Sequence, residues 1–290
     1  MCIRDRIMAR QRMQPFDFFN YFLLLVATLV TLYPFWYILV VATATERGFF
    51  ADYYHIIPKS FTLASFQTAL SRPLVYLSFF VSVLVTTAGT ALSLLLTSMG
   101  AYVLSKNDLP GRNFFFRLII FTMFFSGGLI PLYILLTKLG MRNSLLVLFV
   151  PNAINTFNLI LMKNYFATSV PQSLEDSAKI DGYNEIQILF LIVLPTSMPI
   201  VATIGLFYSV YFWNDWFFPM LFISEAKLYP LSMVMRNLVV SATSVFVPID
   251  VVPEMLKAAV IAISIIPIMM VYPFIQKHFV KGIMLGAVKE

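Results

Sequence analysis

The densest run of chemistry-bearing side chains is Val170-Pro-Gln-Ser-Leu-Glu-Asp-Ser-Ala-Lys-Ile-Asp-Gly-Tyr-Asn-Glu-Ile-Gln187. It holds no nucleophile set beside a base. Its residues are those that start and stop helices. Ser173 suits an N-cap with Asp176 as a capping-box partner, and Glu175 and Asp176 then fall where the helix dipole favours negative charge. Gly182 suits the left-handed residue that ends a helix. Asn184 followed by Gln187 repeats the capping signal. The run predicts a short helix, a glycine corner and a second helix, a stiff projection rather than a reactive centre. An ordinary amphipathic juxtamembrane helix is the alternative.

Elsewhere the ingredients of covalent chemistry are sparse. The sequence has two histidines, His55 and His278, and one cysteine, Cys2. That excludes an intramolecular disulfide and leaves no metal-ligand spacing, so no metal site is expected. The absence of a Gly-x4-Gly-Lys-Ser/Thr loop means that this chain is not itself an ATPase, and no cofactor is expected in it. The net charge of +6 comes without a basic run interleaved with aromatics, which argues against nucleic acid. Basic loops that orient helices across a bilayer explain it better.

The elements that must position the run are set by composition. Hydrophobic residues make up 60% of the chain and charged residues 12%, with mean hydropathy +0.84, whereas a soluble domain carries about 25% charged residues. This is the composition of a bilayer protein. A span needs about 20 apolar residues, and six segments qualify: Phe18–Ala44, Leu74–Leu104, Leu118–Leu136, Leu145–Met162, Ile186–Phe218 and Leu256–Ile275. Tyr33, Trp36 and Tyr37 are placed to anchor the outer half of the first. Ala42-Thr43-Ala44 resembles a cleavage site, but the uncharged run behind it exceeds the roughly 7–15 residues of a signal core, so a retained helix is expected. Gly89 and Gly100 in the second span permit close helix approach, and Pro195 and Pro199 can bend the fifth.

With both termini inside, twelve Lys and Arg lie on the cytoplasmic side and eight outside, a modest bias in the direction of the positive-inside rule. The opening Met1–Arg6 carries no weight, because Met8 and Met13 are further candidate starts. The expected organisation is a cytoplasmic segment 1–17, a transmembrane domain 18–275 with a cytoplasmic loop 163–187, and a cytoplasmic tail 276–290. Long outer loops cover Thr45–Pro73 and Pro219–Met255.

The spacing within the run resembles the coupling-helix motif of bacterial importer permeases: an acidic residue and two small ones, three residues, Gly, nine residues, then Ile-x-Leu-Pro. Here these are Asp176-Ser177-Ala178, then Lys179, Ile180 and Asp181, then Gly182, and after nine residues Ile192-Val193-Leu194-Pro195. The family more often has Glu-Ala-Ala, and the departures keep charge sign and small volume. The resemblance extends over Phe16–Glu290, through Met123-Phe-Phe-Ser-Gly-Gly-Leu-Ile-Pro131, Asn158–Phe166 and Tyr272-Pro-Phe-Ile-Gln-Lys-His-Phe-Val-Lys-Gly282. It is similar to the permease subunits of carbohydrate ABC importers, in the oligosaccharide branch related to maltose permease and closest to those for aldouronates and other polysaccharide fragments.

That resemblance implies an all-α membrane protein of six transmembrane helices, the type I importer permease fold, that moves an oligosaccharide by alternating access. It implies a second homologous permease, two ATPase subunits that bind ATP and Mg, an extracytoplasmic solute-binding protein and a place in the bacterial cytoplasmic membrane among its lipids. The residues it assigns to ATPase coupling are Glu175, Asp176, Ser177, Ala178, Asp181, Gly182, Ile192, Leu194 and Pro195. The loop Pro219–Met255 matches in place the family's loop that reaches the binding protein.

For the sugar path, Asn152, Asn155 and Asn158 fall at helical steps of three, and Tyr208, Trp213 and Trp216 can stack on pyranose faces. Interhelical Asn bonds and an interfacial Trp belt are the competing readings, and Asp215 is expected at the outer interface. A permease for a non-sugar solute remains an alternative. A membrane-embedded lipid-modifying enzyme or an ion-coupled transporter would need ionisable clusters within the spans, which the sequence lacks.

Overall fold

A computed structural model describes residues 15–51, 54–240 and 252–287, with side chains described for 16–270 within that set. Arg4, Arg6, Arg10 and Arg12 of the basic leader, and residues 241–251 of the second long outer loop, lie outside the described residues. All regular structure among the described residues is helical.

The chain divides into two compact units. One comprises residues 1–67 and 247–262, the other 68–246 and 263–290. In the first, α1 (Pro15–Ala42) is the first span. Its apolar side chains are open over most of its length, Phe18 at 74% and Phe19 at 61% exposure, as lipid-facing residues must be, and become buried only at Val40–Ala42. Two short helices follow, α2 (Glu46–Phe50) and α3 (Ala64–Leu70). The aromatic residues expected as interfacial anchors are exposed on α1 and also contact the loop that follows it. Trp36 Nε1 donates to the Ile56 carbonyl at 2.8 Å and Tyr33 Oη to that of Tyr54 at 3.1 Å. His55 stacks on Phe49 at 4.9 Å and meets Tyr37 edge-on at 5.5 Å.

The second unit is built around α4 (Pro73–Ser105), a 33-residue helix with proline only at its start. Next come α5 (Arg112–Phe124) and α6 (Leu129–Lys138), which meet at 108°. The third expected span is therefore broken rather than straight. Gly128 sits at φ +85°, ψ 170°, backbone territory that essentially only glycine occupies. The fourth expected span is divided between a 3-10 turn, Leu145–Leu148, and α7 (Thr156–Ser169). Pro151 offers no N–H to continue a helix there.

Beyond α7 lie α8 (Gln172–Ile180) and α9 (Glu185–Ile188), a π-helical turn at Leu189–Val193, α10 (Leu194–Thr196) and α11 (Met198–Asn214). The segments Glu185–Thr196 and Met198–Asn214 meet at 89°. The expected proline bend in the fifth span is thus present, between Pro195 and Pro199. The order closes with α12 (Phe217–Phe222), α13 (Leu231–Val240) and α14 (Pro253–Ala287). Among the described residues, three helices are long and apolar enough to span a bilayer alone, and the two bent pairs bring the number to as many as five.

Gly89 marks a close approach of α4 and α11. A Cβ there would lie 2.9 Å from the Phe212 ring and 2.9 Å from Phe149 Cβ. Below it, Ala101, Tyr102, Met162, Phe166, Ala178, Ile188, Ile204 and Tyr208 form one continuous core. That core reaches from the membrane helices to the underside of α8.

Candidate functional site

α8 begins two residues earlier than its sequence suggests. Pro171 occupies the N-cap position at φ −65° and ψ 134°, and no side chain caps the helix. Ser173 is therefore not the cap. It lies inside the first turn, where its carbonyl accepts a hydrogen bond from Ser177 Oγ at 2.8 Å. Proline's fixed φ brings the chain into the helix directly after itself, which leaves Ser173 without an orphan N–H to cap.

The other end matches the expectation in detail. Gly182 adopts φ +86°, its N–H bonds to Lys179 O at 3.1 Å, and the Tyr183 N–H reaches Ala178 O at 3.0 Å. These two bonds define a Schellman motif. Asn184 and Gln187 then form a reciprocal capping box with both bonds at 2.9 Å. The end of α8, the corner and the start of α9 are each fixed by their own hydrogen bonds, so the projection is stiff.

Its two faces differ. Glu175 and Ala178 are buried within the chain, at 8% and 4% exposure, whereas Asp176, Ser177, Asp181 and Gly182 are exposed, as are Leu174 and Ile180. Glu175 pairs with Lys106, the residue that terminates α4. The Lys106 ammonium also lies 4.1 Å from the centre of the Tyr102 ring. Glu185, in the first turn of α9, accepts from Tyr102 Oη at 2.5 Å and pairs with Lys179 of α8 at 2.8 Å. Burial holds Lys106 below the ordinary lysine pKa, against the pull of the Glu185 carboxylate. Its hydrogen bond to Glu185 raises Lys179.

The two ion pairs differ in weight. The Lys179–Glu185 side chains are 44% and 56% exposed, and a pair in that setting contributes about 0–1 kcal/mol. Those of Lys106 and Glu175 are 20% and 11% exposed. Removing one member of a buried pair costs about 3–5 kcal/mol, because the other charge is stranded, and the partial exposure here reduces that figure. Tyr102, Lys106 and Glu185 were not among the site residues expected from sequence. Lys106 and Glu175 stand 69 positions apart, and no local pattern links them.

Ile192, Leu194 and Pro195 fall at the break in the fifth span. The Leu194 N–H bonds to Leu189 O, a five-residue step that opens the helix just before the proline. Ser197 is fully buried at the bend, and its hydroxyl has no partner.

The expected sugar-path residues divide. Asn152, Asn155, Asn158 and Tyr208 line one cavity of about 340 Å³, together with Phe207 and Tyr211. The three asparagines do not lie on one helix face, since Asn152 and Asn155 precede α7. Asn155 is its N-cap and accepts from the Asn158 N–H at 3.1 Å. Asn152 Nδ2 is buried without a partner. Tyr208 is 2% exposed, and its hydroxyl is held by Thr97 at 2.7 Å and by the Asn155 N–H at 2.9 Å. Its ring has no free face for a sugar, while Tyr211, 43% exposed, does. Trp213 belongs to a different, apolar cavity and donates to Ser264 O at 3.2 Å. Trp216 is covered by the Arg236 guanidinium at 5.3 Å. Asp215 accepts from the Phe217 and Phe218 N–H groups at 3.0 and 3.3 Å, a structural role at the start of α12.

Known proteins resemble this chain along nearly its whole length. The polygalacturonan/rhamnogalacturonan transport system permease protein YtcP of Bacillus subtilis is 41% identical, with 94% of this chain and 98% of that relative aligned. Protein LplC of the same organism is 43% identical over 90% of each chain. A chain from the crystal structure of a bacterial ABC transporter involved in the import of the acidic polysaccharide alginate superposes with a TM-score of 0.85. It is 30% identical, over 96% of this chain and 99% of that one. No protein-family model matches.

Proposed function

The chain belongs to the permease subunits of sugar ABC importers, and on that premise we propose that it passes an acidic, uronate-containing oligosaccharide across the cytoplasmic membrane by alternating access. It is a transport subunit rather than an enzyme. The substrate class rests on the relatives: one is named for polygalacturonan and rhamnogalacturonan transport and another for alginate import. A second permease of the same family completes the path, with both termini of this chain in the cytoplasm. Two ATPase subunits bind the ATP and Mg, and an extracytoplasmic protein delivers the sugar.

The observation that carries the mechanism is the self-terminated helix α8, with one face buried in its own bundle and the other open. ATP can bias the inward- and outward-facing states only if the ATPase contacts them differently, and a stiff handle converts that difference into movement. Leu174, Asp176, Ser177, Ile180 and Asp181 form the docking face, while Glu175 and Ala178 hold the handle to the membrane helices. In the cavity at α7, Asn152 Nδ2 and the open face of Tyr211 meet sugar hydroxyls and a pyranose ring.

Reconstitution of the chain with its partner subunits and binding protein tests the substrate class. ATP-dependent uptake of labelled oligogalacturonate, in preference to a neutral oligosaccharide of equal length, is expected. Uptake confined to neutral sugars, or to a non-sugar solute, contradicts the reading.

A further inference from the structure

We propose that the stroke received by α8 enters the membrane through α4, by way of a charge clamp made of Tyr102, Lys106, Glu175, Lys179 and Glu185, and not through the fifth span to which α8 is covalently joined. This rests on the reading of α8 as the ATPase contact.

The covalent route is a poor conductor of force. From α9 it crosses a π-helical turn at Leu189–Val193, the three residues of α10 and an 89° bend. Pro195 lacks an N–H, and Ser197, at φ −102° and ψ 21°, leaves its buried hydroxyl unpartnered. Helix bends of this kind form where prolines and π-turns interrupt the hydrogen-bond ladder. A push on α9 along this route flexes the joint before it moves α11.

The route through α4 has no such joint. Lys106, the C-terminal cap of α4, pairs with Glu175 of α8. Four residues earlier, on the same helix face, Tyr102 donates to Glu185 at 2.5 Å, and Glu185 is tied back to α8 through Lys179 at 2.8 Å. α8 and α9 are thereby pinned to the last turn of one helix. From there α4 runs 33 residues without an internal proline. It meets α11 beyond the bend, through Thr97 against Tyr208 at 2.7 Å and through Gly89 beneath the Phe212 ring. α4 therefore acts as a push-rod that bypasses the joint and moves α11 from the side.

The test is the number of sugars imported per ATP hydrolysed by the reconstituted importer. In Lys106→Met the ratio is expected to fall at least about tenfold, since Glu175 is left without its counter-charge. The exchange Lys106→Glu with Glu175→Lys is expected to bring the ratio back to within about threefold of the unmodified importer. Thr196→Gly, which softens the joint, is expected to change it by less than about twofold. An unchanged ratio in Lys106→Met, or uncoupling by Thr196→Gly alone, overturns the push-rod. Where Lys106→Met fails to assemble, the exchange decides: recovered assembly and ratio support the clamp, and their loss overturns it. Failure of the underlying reading looks different. In that case Ile180→Cys does not crosslink to the ATPase even with the clamp intact.

Discussion

Substitution of Gly182 separates a corner made by backbone geometry from one made by contacts. A Cβ at this position meets nothing within 4 Å, so steric crowding contributes nothing. The cost comes from φ +86°, where a residue with a Cβ is disfavoured by about 1–2 kcal/mol. Gly182→Ala therefore lowers the population of the intact corner by roughly five- to thirty-fold relative to its open forms. Gly182→Asn is expected to be nearly neutral, because Asn visits the left-handed region readily. Gly182→Pro fixes φ near −65° and removes the N–H that bonds to Lys179 O, at a cost of about 3 kcal/mol or more. The assay is ATP-dependent sugar uptake by vesicles matched for permease content, with insertion checked by fractionation. Uptake is expected in the order Gly, Asn, Ala, Pro, with Pro inserted but inactive. Normal uptake by the Pro variant, or an Asn variant as impaired as Pro, refutes the reasoning.

Other predictions concern packing and the cavity. Gly89→Ala brings a methyl within 2.9 Å of Phe149 and Phe212, an overpacking of about 1–3 kcal/mol that a thermal melt of the detergent-purified importer reads as a lower Tm. Gly205→Ala meets only the Leu94 side chain, with Cδ1 at 3.3 Å and Cδ2 at 3.9 Å, the end of a flexible side chain, and the same melt is expected to stay nearly unchanged. Tyr208→Phe removes the bonds to Thr97 and Asn155, each worth about 0.6 kcal/mol in a membrane protein; lower thermal stability with an unaltered KM for sugar is the expected result. Tyr211→Ala, by contrast, is expected to raise KM with little change in Tm, because its ring faces the cavity.

Much of the helix–corner–helix geometry at 172–188 was legible because its signals are local. Gly182 and the Asn184/Gln187 pair are short-range hydrogen-bonding devices, and each does in the fold what its type and spacing imply. Pro171 took the cap from Ser173 because a fixed φ outweighs a side-chain preference two residues further on. The breaks were harder to read. Apolar residues dominate Leu118–Leu136, and the short run Ser126–Pro131 with its Gly127-Gly128 pair is the one mark of the 108° turn. Asn152, Asn155 and Asn158 line one cavity by way of a turn and an N-cap, not through the shared helix face that their three-residue spacing implies. The buried face of α8 was hidden altogether. Whether Glu175 faces the ATPase or its own bundle depends on Lys106 at the end of α4, and that is a tertiary fact.

The most direct test of the account is a cysteine crosslink between α8 and the ATPase in the assembled importer. Cysteines at Ile180 and Asp181, on the open face, are expected to crosslink to the ATPase with a yield that changes between nucleotide-free and ATP-bound states, while a cysteine at the buried Ala178 does not. Crosslinking from Ala178 instead, or labelling of Ile180 from the extracytoplasmic side, contradicts the account.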